Sequence, residues 1–112
     1  VHAVFADFIG LEIQNGFGRV QIDHRHAGDG PVSHGGVTIS LAEATAVSLP
    51  ALQGFICVSA ANQLIGPARR EDELVAHATL VRKTRTLAFV YVCVHQKQRE
   101  ILHAQFVFEK GD

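Results

Sequence analysis

The sequence predicts an α+β fold in which an antiparallel sheet wraps around one long buried helix. Three observations predict it. A single helix-forming run, Ser33 to about Leu49, stands alone between strand-like runs. The runs after it alternate or are rich in β-branched residues. Short turn signals, not helical crossovers, join them, which is the grammar of antiparallel pairing.

Taken in order, Val1 to Asp7 is short and mixed and reads as a lead-in arm or a fragment of helix. Ile9 to Gln14 reads as a strand. Asn15-Gly16-Phe17-Gly18 supplies residues tolerant of positive φ, as a hairpin turn needs. Arg19 to His26 alternates Val20, Ile22 and His24 against Arg19, Gln21 and Asp23, a returning strand. Ala27 to Ser33 has loop composition. Ser33 then caps the helix, and Pro50 ends it, because the residue before a proline is pushed out of helical geometry. Val37, Leu41, Ala42, Ala44, Ala46 and Leu49 leave this helix hardly any polar face, so it is buried, with small residues that admit close neighbours. Four strands follow as a meander: Phe55 to Ile65, Glu73 to Lys83, Leu87 to His95 and Glu100 to Glu109. In the last, Leu102, Ala104, Phe106 and Phe108 share one face.

The chain has 112 residues and a net charge of −1. That length suits one domain, read as residues 1–112. The charge excludes a basic stripe for nucleic acid or a polybasic membrane contact, and it removes a barrier to self-association. Cys57 and Cys93 make no disulfide framework and suit a reducing cytoplasm, the expected location. No run reaches the length of a membrane span, and the N-terminus lacks a signal-peptide pattern. His24 and His26 share a strand face in this reading. They lack further ligands at metal spacing, so no metal is expected.

Chemistry concentrates at one place. From Gly35 through Ala68 the only charged or histidine residue is Glu43. A lone carboxylate in so uncharged a stretch is costly to bury and needs a reason. It lies nine residues after His34, which precedes Gly35-Gly36 at the helix start.

That order resembles the hotdog-fold acyl-CoA thioesterases, in particular the phenylacetate-pathway and 4-hydroxybenzoyl-CoA type. Gly66-Pro67-Ala68 is similar to that family's turn after the first post-helix strand. Glu73-Leu74-Val75-Ala76-His77-Ala78 is similar to its "D-x-L-x-A-x-A", and Lys83-Thr84-Arg85-Thr86 to the turn before the next strand. The resemblance covers about residues 8 to 109. It implies thioester hydrolysis without a cofactor, in paired sites at a dimer interface. The related enzymes often carry Asn or Gln six residues before the histidine; here Gly28 stands there, and Asp29 or His26 is expected to take the polar role.

The residues suit that chemistry. Amides at a helix start are unpaired and sit at the positive end of the dipole, so Gly35 or Gly36 N–H is expected to polarise a thioester carbonyl. Glu43 is the expected base or nucleophile. His34 is expected to orient the turn. Phe55 or Asn62 is expected to line the acyl pocket, and Arg82, Lys83, Arg85 and Thr86 to meet coenzyme A phosphates. Gly35 and Glu43 lie about 12 Å apart along the helix, too far to act on one carbonyl carbon. Two antiparallel helices from two chains solve this, so the expected partners are an acyl-CoA (or acyl-carrier-protein) substrate and a second copy, as a homodimer or dimer of dimers. Two alternatives stand beside this reading. One is a hotdog enoyl-CoA hydratase or dehydratase using Asp29 and His34; the other is an acyl-CoA-binding hotdog domain without turnover.

Overall fold

Side-chain alternation builds the molecule around a single six-stranded antiparallel sheet in the computed structural model, which describes residues 7–111. The lead-in arm therefore lies outside the described residues, apart from Asp7. The elements are β1 (Glu12–Gln14), β2 (Phe17–Gln21), α1 (His24–Ala27), α2 (Gly35–Val47), a 3₁₀ turn (Pro50–Leu52), β3 (Phe55–Leu64), β4 (Glu73–Lys83), β5 (Leu87–Gln96) and β6 (Arg99–Lys110). The sheet order is β1-β2-β4-β5-β6-β3.

The core follows from that alternation. On β5, Ala88, Val90, Val92 and Val94 are buried; on β6, Leu102, Ala104, Phe106 and Phe108 are. They face α2, which buries Thr38, Leu41, Ala42, Thr45 and Ala46 against the sheet. Thr45 is tolerated because its hydroxyl returns a hydrogen bond to the helix: Oγ1 donates to Leu41 O at 2.7 Å. Gly18 on β2 is required there, since a Cβ would collide with Thr45 Oγ1.

Several expectations need correction. The first strand is only Glu12–Gln14; residues 7–9 are helical, and Gly10 turns the chain at φ +78°. The returning strand stops at Gln21, because Asp23 starts a helix. The Asp23 side chain accepts from Arg25 N–H at 2.9 Å, and His26 Nδ1 accepts from Asp23 N–H at 3.0 Å. This is a capping box with histidine in the glutamate position. His24 and His26 therefore do not share a strand face. The cap of α2 is His34, not Ser33, whose hydroxyl instead meets His34 O. β3 does not join β4 in a meander; it crosses the sheet and pairs with β6.

Coverage of α2 also differs. The sheet covers one side of the helix, while Gly36 and Val47 are exposed and Glu43 is half-buried. One sheet covers one face, so a helix apolar all round leaves a bare side in a single copy.

Candidate active site

The start of α2 is held from two directions. His34 N–H donates to His26 O at 3.0 Å. His26 is itself buried, its Nδ1 taken by Asp23 N–H and its Nε2 2.6 Å from Ile9 O. The proton therefore sits on Nε2. From the other direction, Ser33 N–H donates to Ala68 O at 2.8 Å and Arg70 N–H to Pro31 O at 2.9 Å. That second loop, residues 67–72, is fastened by the fully buried Gln96. Its amide accepts from Arg69 N–H at 2.7 Å and donates to Arg69 O at 2.9 Å and Asp72 O at 3.1 Å, and Arg99 donates to it. His26 was expected in a polar role at the site, not as the support of the helix entry, and Gln96 did not stand out at all. The capping-box spacing Asp23-x-x-His26 was the available signal for the first; nothing local marks the second.

This scaffold presents two amides. Val37 N–H is taken by His34 O at 3.1 Å. The N–H groups of Gly35 and Gly36 have no such acceptor among the described residues, as helix starts require. A Cβ at Gly36 would meet nothing within 4 Å, so the backbone is open to a ligand.

Gly35, Ile39 and Glu43 recur every four residues and form one flank of α2. That flank looks toward β3. A Cβ on Gly35 would come 3.0 Å from Leu64 Cδ1. At the other end, the Cys57 thiol is pushed above its usual range by burial, and the charge of Glu43 adds to this. On β3, Cys57, Ala60, Asn62 and Leu64 pair with the buried Phe108, Phe106, Ala104 and Leu102, so they share the helix-facing side. The Asn62 Oδ1 atom is buried there with no hydrogen-bond partner among the described residues. Gly35 and Glu43 thus lie on the α2 flank that faces β3, and Asn62 on the helix-facing side of that strand.

Other sequence candidates lie apart. Arg82, Lys83, Arg85 and Thr86 are exposed around the β4–β5 turn, with Lys83 Nζ 5.2 Å from the Phe55 ring centre. Asp29 is exposed in the loop before the helix, and His34 is exposed at its entry. Beside Asp29, Arg70 donates to Gly28 O. Among the described residues no cluster of three or more metal-type ligands occurs, and no helix is long and apolar enough to cross a membrane.

A family model for the acyl-CoA thioesterase N-terminal domain matches residues 23–109. The chain belongs to this acyl-CoA thioesterase family, and it is a thioester hydrolase on a hotdog fold. No curated protein sequence matches it. Among solved structures, a mutant of the phenylacetic acid degradation protein PaaI from Thermus thermophilus superposes with TM-score 0.86 at 18% identity, covering 96% of this chain and 98% of that one. Mouse thioesterase superfamily member 2 superposes with TM-score 0.76 at 21% identity, covering 85% and 80%. A Streptococcus mutans protein bound to acetyl-CoA superposes with TM-score 0.75 at 17% identity, covering 90% and 88%. At such identities these likenesses carry the fold.

Proposed function

We propose that the chain hydrolyses an acyl-CoA thioester in a site shared between two copies. Gly35 or Gly36 N–H of one copy polarises the carbonyl, and Glu43 of the other supplies the base or nucleophile. The observation that carries this reading is the helix flank. Gly35 and Glu43 lie on one flank of α2 but stand about 12 Å apart along the axis, so one chain cannot bring both to one carbon. A second copy running antiparallel brings its diglycine to this chain's carboxylate.

The β3 edge supports that arrangement. Phe55–Leu64 is ten residues long and carries no charge. Among the described residues it pairs with β6 on one side only, and Ile56 and Val58 are 60% and 51% exposed. A long apolar strand with a free edge invites pairing with another chain. Two such edges joined about a two-fold axis make one continuous sheet and cover the bare sides of both α2 helices. Dimers of that kind can pair again.

The acetyl-CoA in the Streptococcus mutans neighbour supports a coenzyme A ester as substrate. Arg82, Lys83, Arg85 and Thr86 form an exposed basic turn suited to phosphates. Asp29 and His34 border the entry to the helix start. Residues 1–112 act as one domain, and the free thiols of Cys57 and Cys93 fit a reducing cytoplasm.

Thiol release from aryl, short-chain and long-chain acyl-CoAs tests the reading. Glu43→Gln is expected to lower kcat by roughly 10³-fold or more with the dimer intact, since it keeps shape and removes the basic oxygen. Unchanged turnover in Glu43→Gln contradicts it.

A further inference from the structure

We infer that the neutral ring of His26 is the latch that positions the carbonyl-binding amides, and that a second proton on the ring opens it and slows turnover. The inference rests on the shared-site reading, in which Gly35 or Gly36 N–H binds the carbonyl. It adds a positioning residue and a pH dependence to that reading.

The latch is a short chain of bonds. The His26 side chain is fully buried and joins two segments of backbone. Its Nδ1 accepts from Asp23 N–H at 3.0 Å, and its Nε2 donates to Ile9 O at 2.6 Å. The carbonyl of the same residue accepts from His34 N–H at 3.0 Å. His34 immediately precedes Gly35, so the last of these bonds lies one residue from the first carbonyl-binding amide. The ring therefore fixes where the helix entry begins, and the amides inherit that position. Such donors act by being held in place, and a displacement of about 1 Å can cost roughly 100-fold in rate.

Only one protonation state of the ring makes both bonds. A neutral imidazole with its proton on Nε2 accepts at Nδ1 and donates at Nε2, whereas an imidazolium donates at both. Its Nδ1–H would face Asp23 N–H, donor against donor, and that bond is lost. The nearest acceptor is the Asp23 carboxylate, whose Oδ1 stands 3.2 Å from Nδ1. That oxygen is already the cap of α1, accepting from Arg25 N–H at 2.9 Å and Arg25 Nε at 3.2 Å. Drawing it to the ring undoes both halves of the capping box, and with them the position of the His26 carbonyl. The other charged or titratable groups on the elements around the ring are His24 and Arg25 in α1, Asp7 in the turn that carries Ile9, His34 at the α2 entry, and Arg69, Arg70, Glu71 and Asp72 in the neighbouring loop. Among the described residues, Asp23 is the acid that meets the ring.

Thiol release at saturating substrate between pH 8 and 5, with thermal melting of the intact protein, tests this. His26→Leu removes both ring bonds and is expected to lower kcat by roughly 10–100-fold, with KM within about twofold of wild type. His26→Gln is the sharper probe. A side-chain amide offers an acceptor and a donor side by side, as the neutral ring does, and does not titrate. At pH 8 it should keep kcat within about threefold of wild type. Glu43, acting as base, gives kcat an acid limb of its own, and in wild type the ring adds a second. Where wild-type kcat has dropped about tenfold, His26→Gln should therefore have dropped about threefold or less. A merely structural role would lower the melting temperature and leave the shape of the pH profile alone. The inference is overturned if His26→Gln keeps the whole wild-type acid limb, if it folds and is as slow as His26→Leu at pH 8, or if a folded His26→Leu keeps wild-type kcat. Should His26→Leu not fold, the His26→Gln profile decides. If Glu43→Gln keeps full activity, the shared-site reading itself has failed. If Glu43→Gln is inactive while His26→Gln follows the wild-type profile, only this inference has.

Discussion

The helix entry and the β3 edge are built in opposite ways. At the helix entry, everything is tied within the chain: His26 grips Ile9 and the Asp23 amide, and Gln96 clamps the 67–72 loop onto residues 31–33. At the β3 edge, almost nothing is tied. Ile56, Val58, Leu64 and Ile65 are exposed, and among the described residues one side of the strand has no partner in the sheet. The contrast separates two tasks. The donors of a carbonyl-binding site must be rigid before substrate arrives, because their value lies in preorganisation. In the proposed reading, the edge is the surface on which a second copy completes the site.

The largest effect expected from breaking this contrast is at the open edge. Val58→Lys puts a charge where two β3 strands would meet. An unpaired lysine buried in such an interface costs several kcal/mol, so dimer affinity should fall by roughly 100-fold or more. Light scattering should find monomers, and thiol release should fall with the dimer fraction. A monomer with full activity would separate the edge from the site.

An intermediate effect is expected at the fastened end. Gln96→Leu keeps the volume but strands the Arg69 and Asp72 backbone groups that the amide satisfies. A loss of about 2–3 kcal/mol in unfolding free energy follows, together with lower kcat from a loosened helix entry. Denaturant titration and steady-state kinetics measure the two, and an unchanged oligomeric state distinguishes this end from the edge.

The smallest effect is electrostatic. The Arg25 guanidinium, bonded to Asp23, holds that carboxyl down at about 2. A depressed carboxyl stabilises the fold above its ordinary value near 4 and stops doing so as pH falls toward 2. Asp23 is well exposed, so solvent screens the pair and the contribution is a fraction of a kcal/mol. Asp23→Asn should flatten the acid limb of the melting curve between about pH 4 and 2 and leave the melting temperature at pH 7 almost unchanged.

Much of this contrast is legible in the residues. The uncharged run around Glu43, the diglycine at the helix start and the alternation on β5 and β6 are local patterns, and they lead to the helix and the strands. What stays hidden is non-local. The capping role of His26 depends on a histidine standing in for glutamate, which local alternation disguises as strand. Gln96 reads as a turn residue until the 67–72 loop folds over it. The position of β3 beside β6 depends on pairing across some fifty residues, and periodicity carries no register information over that distance.

The most direct measurement of a site divided between chains is complementation of two inactive variants. Gly35→Pro removes the N–H at a helix position that tolerates proline; Glu43→Gln removes the base. Mixed and re-formed into dimers, the two place one intact pairing of donor and carboxylate in each heterodimer. Activity should return to about a quarter of wild type, the share set by random pairing and one working site in two. Heterodimers that form and stay inactive would contradict the account, since each chain would then be carrying its own complete site.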